Sequence, residues 1–237
     1  MTIPDWAVGF AKTVLVVTLL SNVLLLSWLV VSRWYRRWKY HKLKKGLINF
    51  LGLTEWYRGL SQKEHNLFKK YYQQVTNAPP KVDRLTEAMI YSASETPAQL
   101  LVMVAASSML NGNYPFAEKL LSKANAVTQS PWEKQQVLLA YSHLFFRQRN
   151  QLSGARENCS IYSEKVIKNF ERFGVSEELP PTLPFDQLIT LSEEAKDYKR
   201  AIEIASWAVN LFKRHEPEIA RRFESRAELL ETEKKRQ

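Results

Sequence analysis

Three stretches of the chain decide the fold: NGNYPFAEKLLSKANAV at residues 111–127, RNQLSGARENCSIYSEKV at 149–166 and AKDYKRAIEIASWAVNL at 195–211. Each opens with turn-forming residues and continues with apolar residues at helical spacing. An apolar residue near the start is followed three positions later by alanine, then by small or medium residues four and seven positions further on. These residues are Tyr114, Ala117, Leu121 and Ala124; Leu152, Ala155, Cys159 and Tyr162; and Tyr198, Ala201, Ala205 and Ala208. Small residues on an inner stripe let two helices approach closely, so the pattern predicts repeated helical hairpins.

The repeated unit resembles the tetratricopeptide repeat. The turns at residues 112–114 and 196–198 are similar to that family's turn, and the spaced alanines are similar to its small-residue stripe. The period differs from the family's regular repeat of about 34 residues. Ala117 to Ala155 is 38 residues, and Ala155 to Ala201 is 46. The resemblance implies an all-α solenoid of helical hairpins with a peptide-binding groove, and a generic helical bundle is the alternative.

The sequence divides into four parts. Residues 1–32 hold a short tail and an apolar segment, 33–60 are basic and aromatic, 61–215 have the helical period, and 216–237 fit a capping helix and tail. The stripe of the capping helix is Ile219, Phe223, Ala227 and Leu230, and the resemblance to tetratricopeptide repeats covers about Thr96 to Arg214. Leu85, Met89 and Ala93 also keep the helical spacing and predict another helix before Thr96.

The apolar segment is Val14–Val31, eighteen residues without a charge. With one more turn on its N-terminal side it would span about 30 Å of hydrocarbon. A cleaved signal peptide is the competing interpretation. Lys12 is the only basic residue before the segment, whereas a signal peptide begins with several. Bulky Trp28 lies near the end of the segment, where a signal peptide has small residues. We therefore expect an uncleaved transmembrane helix.

Basic and aromatic residues follow the apolar segment directly. The positive-inside rule then places the C-terminal domain in the cytoplasm and the N-terminus outside, in a bacterial inner membrane or an organelle membrane. The residues expected at the interface, near anionic lipid, are Arg33, Trp34, Arg36, Arg37, Trp38, Lys39 and Lys42. A topology signal explains this segment most simply, and specific lipid binding or an RNA contact is the alternative.

Two polar residues within the apolar segment, Thr18 and Asn22, share one helix face. An amide in hydrocarbon is costly without a partner, so this face predicts contact with another transmembrane helix.

The composition offers no catalytic or metal-binding pattern. One cysteine cannot form an internal disulfide or a cysteine-based zinc site, and the four histidines are far apart. Known nucleotide, hydrolase and metalloprotease motifs are absent. We therefore expect no enzyme activity, no cofactor, no metal and no small-molecule substrate. The formal net charge of +10 is concentrated beside the apolar segment, so the bilayer is a simpler partner than nucleic acid.

The resemblance also implies a groove along the first helix of each hairpin. The candidate groove residues are Gln99, Val102, Ala106, Met109, Leu144, Arg147, Gln148, Asp186, Thr190 and Glu193. Tetratricopeptide domains that clamp a chaperone's carboxylate carry Lys and Asn at such positions. Val102 and Ala106 stand there instead, so we expect an amphipathic helix or an extended peptide as the ligand.

These observations predict a membrane-anchored, non-catalytic scaffold or assembly factor that binds proteins through its repeat domain. The alternative is an accessory subunit of a multi-subunit membrane complex, held mainly by its transmembrane helix.

Overall fold

The computed structural model describes residues 45–76, 84–87, 90, 93–173, 182–214 and 216–236. These residues form ten α-helices and no strand, which confirms the all-α class. The helices are α1 Leu47–Phe50, α2 Thr54–Arg58, α3 Gln62–Thr76, α4 Pro97–Leu110, α5 Tyr114–Val127, α6 Pro131–Gln148, α7 Ala155–Phe173, α8 Leu183–Glu194, α9 Tyr198–Phe212 and α10 Pro217–Arg236.

The predicted transmembrane segment Val14–Val31, with Thr18 and Asn22, lies outside the described residues, and so do the interface residues between Arg33 and Lys42. Among the helices that are described, none combines the length and the apolar character that crossing a bilayer requires.

The chain divides into two compact units, of which the smaller comprises Met1–Phe50 and Pro80–Ala93. In it, the amides of Leu47 and Ile48 donate to the carbonyls of Arg84 and Leu85, at 2.8 and 3.1 Å. Gly46 has a φ of 75°, and a Cβ there would lie 2.4 Å from the carbonyl oxygen of Leu85. Only glycine permits this close approach. Residues 84–87 form a turn against α1, so the helix predicted from Leu85 onward is wrong at these positions.

The larger unit comprises Leu51–Pro79 and Ser94–Gln237, and it consists of stacked helical hairpins. The hairpins are α4 with α5, α6 with α7 and α8 with α9, and α10 packs on the last of them. The first helices α4, α6 and α8 also contact one another in succession. This arrangement is compatible with a helical repeat.

Two of the three hairpin turns have the same backbone. Gly112 follows α4 with a φ of 72°, and Lys196 follows α8 with a φ of 59°. In both turns this residue and the next donate their amides to carbonyls of the last helical turn, at 2.8 to 3.0 Å. The middle turn differs, because α6 ends at Gln148 and α7 begins only at Ala155. Leu152 therefore lies in the turn and is 46% exposed.

Side-chain caps fix where several helices begin. Thr96 Oγ1 accepts from the Gln99 amide at 3.3 Å, and Gln99 Oε1 accepts from the Thr96 amide at 3.0 Å. This reciprocal pair is a capping box, and Pro97 follows at the first helical position. Ser130 and Asp197 cap α6 and α9 through one hydrogen bond each.

The small-residue stripe is the inner face of the second helices. Its members that are fully buried are Ala117, Leu121, Ala124, Ala155, Cys159, Ala201, Ala205 and Ala208. Tyr162, the one bulky member, stacks on Tyr141 with ring centroids 4.8 Å apart. The apolar stripe predicted for the last helix is confirmed, because Phe223 and Leu230 are buried against the core of the third hairpin.

Two polar contacts join the second helices α7 and α9, and the sequence separation between the two residues is the same in both. Arg200 Nη2 donates to Glu164 Oε1 at 2.9 Å, and Trp207 Nε1 donates to Glu171 Oε1 at 2.5 Å. Both pairs are 36 residues apart along the chain. The contacts hold α7 and α9 parallel and in one register.

Candidate protein-binding face

Among the described residues, nothing covers one side of the first helices in the larger unit. We call this surface the first-helix face. On α4 it is a stripe of partly or fully exposed residues at helical spacing, and on α6 and α8 the same spacing continues it. Its residues are Val102, Met103, Ala106 and Leu110; Leu139, Ala140, His143 and Arg147; and Asp186, Thr190 and Glu193.

The α4 part of this face is apolar. Ala106 is exposed, Val102 and Met103 are half-buried, and Leu110 is 72% exposed. Exposed leucine is ordinary when it stands alone, but here it extends a stripe of four apolar side chains. This end of the face can therefore bury apolar groups of a partner.

The α6 part is mixed in character. Arg147 Nε donates to His143 Nε2 at 2.9 Å. Burial and the neighbouring guanidinium lower the pKa of His143, so its ring is neutral at pH 7 and accepts this bond. Arg147 is exposed, and it is the cation that the α6 part offers to a ligand.

The α8 part is already engaged with the last helix. Arg222 Nη2 contacts both carboxylate oxygens of Asp186, and Arg226 Nη2 contacts Glu193 Oε2 at 2.6 Å. Thr190 Oγ1 donates to the Asp186 backbone carbonyl at 2.8 Å. The carboxylates of Asp186 and Glu193, two of the predicted groove residues, are thus paired within the chain and are not free to bind a cationic partner.

Three of the predicted groove residues have other roles. Met109 and Leu144 are 3% and 0% exposed, so they belong to the core and cannot line a groove. Their assignment is corrected, since on α6 the stripe passes through His143 rather than Leu144. Gln99 closes the capping box of α4, and the half-buried Gln148 is the C-terminal residue of α6.

The described residues contain no group of three His, Cys, Asp or Glu that could hold a metal ion. Cys159 is fully buried, and burial raises the pKa of its thiol. A buried, protonated thiol is not a nucleophile. Ser142, Ser163 and Gln187 form a buried hydrogen-bonded cluster, with Ser142 Oγ and Ser163 Oγ 2.7 Å apart and both bonded to Gln187 Oε1. No solvent reaches it, so its role is in packing.

Sequence reasoning missed a second surface, an open trough between the second helices α5 and α7. We call it the lysine trough. It consists of two adjoining clefts of about 350 and about 450 Å³, which share Lys134 and Asn169. Its floor is on α6, where Lys134 and Tyr141 lie on the side opposite His143 of the first-helix face. The residues come from three helices at separations up to 44 in the chain, and no local pattern connects them.

Comparison with known proteins adds a relative but no family. No family model matches the chain, and no solved structure matches it. A protein of Aquifex aeolicus (strain VF5), described as uncharacterized, is 28% identical over an alignment of 171 residues that covers 69% of this chain and 83% of the relative.

Proposed function

We propose that the protein is a non-catalytic scaffold, anchored in a membrane, that binds other proteins through a cytoplasmic tetratricopeptide-like domain and keeps them at a membrane complex. The observation that carries the proposal is the uncovered apolar stripe on α4, which continues into the α6 part of the first-helix face. Stacked hairpins present such a face as one extended surface, and apolar anchors at helical spacing suit an amphipathic helix or an extended peptide.

The change in polarity along the first-helix face limits which ligands would fit it. Its α4 part is apolar, Arg147 supplies one exposed cation on α6, and the carboxylates of α8 are paired with α10. A ligand that fits this order has an apolar side and an acidic residue near one end. A cationic ligand would have to displace Arg222 or Arg226.

The membrane part of the proposal rests on the sequence. The uncharged segment Val14–Val31 and the basic residues after it are typical of a single-span anchor with its C-terminal side in the cytoplasm. Tethering a binding domain to a bilayer raises the effective concentration of its ligand near other membrane proteins.

The proposal is tested by paired co-purification. The full chain in a mild detergent and a fragment of residues 60–237 are each isolated, and bound proteins are identified by mass spectrometry. The same partners with both would support the scaffold. Membrane partners with the full chain alone would instead favour the accessory subunit held by its transmembrane helix.

A variant of the first-helix face sharpens this test. Leu110→Arg places a charge on the apolar stripe and should abolish capture of the partners without lowering the thermal unfolding midpoint, since the side chain is exposed. Ile161→Arg is the matched control, because Ile161 is 41% exposed on the second helix α7. Equal capture by the two variants would contradict the assignment of the face.

A further inference from the structure

The charged residues that line the lysine trough are all cations. Lys134 and Lys165 face it from α6 and α7, and Asn125 and Asn169 line it from α5 and α7. None of the residues that line its two clefts is acidic. Two ammonium groups beside one cleft repel each other unless an anion lies between them.

These lysines have no acidic partner in the part of the chain that the structure describes. Other basic residues of the second helices do, since Lys119 pairs with Glu64 and Arg200 with Glu164, at 2.6 and 2.9 Å. Lys134 Nζ donates to Asn125 Oδ1, and Lys165 Nζ lies 5.3 Å from the centroid of the Tyr162 ring. Both ammonium groups keep donors for a ligand.

Stacked aromatic rings form part of the floor of the trough. The rings of Tyr141, Phe145 and Tyr162 stack nearly parallel, with centroids 4.8 to 6.1 Å apart. Burial, the neighbouring Tyr162 and the carboxylate of Glu118 raise the pKa of Tyr141 to about 12, so its phenol stays neutral. The ring faces are occupied by one another and are not open for stacking nucleic-acid bases.

We propose that the lysine trough binds an extended acidic segment of a partner protein. Lys134 and Lys165 pair with carboxylates of that segment, and the Asn169 carboxamide bonds its backbone, because an amide can both donate to and accept from a peptide. Two adjoining clefts that share Lys134 and Asn169 suit a chain better than one compact anion. The trough lies on the side of α6 opposite the first-helix face, so its ligand is independent of the function proposed above.

The test measures peptide binding to the full chain in an uncharged detergent. The probe is a fluorescein-labelled peptide of alternating Glu and Gly, and its affinity is measured by fluorescence anisotropy. Lys134→Gln with Lys165→Gln should weaken binding about tenfold, as expected for the loss of two solvent-exposed charge pairs. The matched control is Lys199→Gln with Lys213→Gln, which removes the same charge at two exposed positions on α9 and at its end.

The control separates the trough from the net charge of the protein. Equal weakening in the two double variants, or no weakening in the first, would overturn the proposal. Asn169→Asp provides a second variant that adds a carboxylate to the trough and changes the side chain little in shape, and it should also weaken binding. An affinity in this variant equal to that of the wild type would count against the trough.

Inorganic phosphate distinguishes a small anion from a peptide. At a concentration equal to that of the peptide carboxylates, phosphate should leave the peptide bound. Complete displacement under this condition would assign the trough to a small anion and overturn the proposal.

Discussion

One guanidinium nitrogen of Arg222 donates to both carboxylate oxygens of Asp186, at 3.0 and 2.9 Å, and thereby joins α10 to α8. Burial nevertheless raises the pKa of Asp186 above its ordinary value, although Arg222 acts to lower it. The ion pair offsets only part of the cost of removing water from the carboxylate. Loss of the base and loss of the acid should therefore have unequal effects.

We expect Arg222→Ala to lower the free energy of unfolding by about 1 kcal/mol, because it leaves the half-buried carboxylate of Asp186 without its partner. Asp186→Asn should change the free energy of unfolding by less than about 0.5 kcal/mol, because the amide oxygen still accepts a hydrogen bond from Arg222. Urea unfolding of the two variants at pH 7 measures the difference. Equal losses would show that the pair itself, rather than the unpaired acid, carries the stability.

The same pair predicts a pH dependence. Without Arg222 the pKa of Asp186 rises further, so the variant binds a proton at a higher pH than the wild type does. The deficit of Arg222→Ala is therefore full above the pKa of Asp186 and shrinks as the pH falls through it. Unfolding measured at pH 7 and again near the ordinary carboxylate pKa tests this, and a constant deficit would contradict it.

The pKa of Glu64 at the start of α3 is shifted in the opposite direction from that of Asp186. Its bond to Lys119 at 2.6 Å, together with its bonds to Ser61, lowers its pKa to about 2. A lowered pKa gives stability that is complete above the ordinary value of 4.5 and is lost as the pH falls toward 2. We expect Glu64→Gln to cost about 0.5–1 kcal/mol at pH 7, since the pair is partly exposed, and nothing near pH 2.

The matched control for Glu64→Gln is Glu203→Gln. Glu203 is exposed on α9, and the substitution changes the charge by the same amount. Thermal unfolding of both variants across this pH range should show the loss in Glu64→Gln alone. A similar pH profile for the control would point to net charge as the cause.

The buried cluster around Gln187 predicts a contrast between two substitutions. Gln187 Nε2 is buried and has no hydrogen-bond partner among the described residues. Gln187→Met keeps the volume and removes this unpaired donor, but it also removes the Oε1 acceptor of Ser142 and Ser163, which remain bonded to each other at 2.7 Å. We expect it to cost about 1 kcal/mol or less, and Gln187→Ala to cost about 2–4 kcal/mol through the cavity it leaves. Urea unfolding that ranks the two equal would contradict this account.

Cys159 should be inert in the folded protein. It is the only cysteine in the chain, so a thiol reagent reports on it alone. Because the side chain is buried and its pKa is raised, labelling by Ellman's reagent should be slow in buffer and rapid in urea. Rapid labelling of the native protein would show that α7 opens easily or that the thiol is accessible.

The helical period and the breakers predict most of the larger unit. The alanine stripe is fully buried at Ala117, Ala155 and Ala201, because its spacing follows directly from helix geometry. Residues 84–87 also have helical spacing but form no helix, since backbone hydrogen bonds to α1 hold them in a turn. Those bonds join residues 37 positions apart in the chain, which local periodicity does not register.

The binding surfaces were harder to predict. The helical stripe predicts the surface positions Val102 and Ala106, but a shift of one residue separates the partly exposed His143 from the buried Leu144. The neutralisation of Asp186 depends on a helix that follows 36 residues later. The lysine trough needs three helices at once. Tertiary contacts, rather than composition, decide these features.

The two contacts between α7 and α9 also bear on how this chain tolerates change. Glu164 with Arg200 and Glu171 with Trp207 set the alignment of the two helices from within the helices themselves. The number of residues that connect α7 to α8 then has little influence on how the second and third hairpins match. We therefore expect a change in the number of residues between α7 and α8 to cost little free energy of folding.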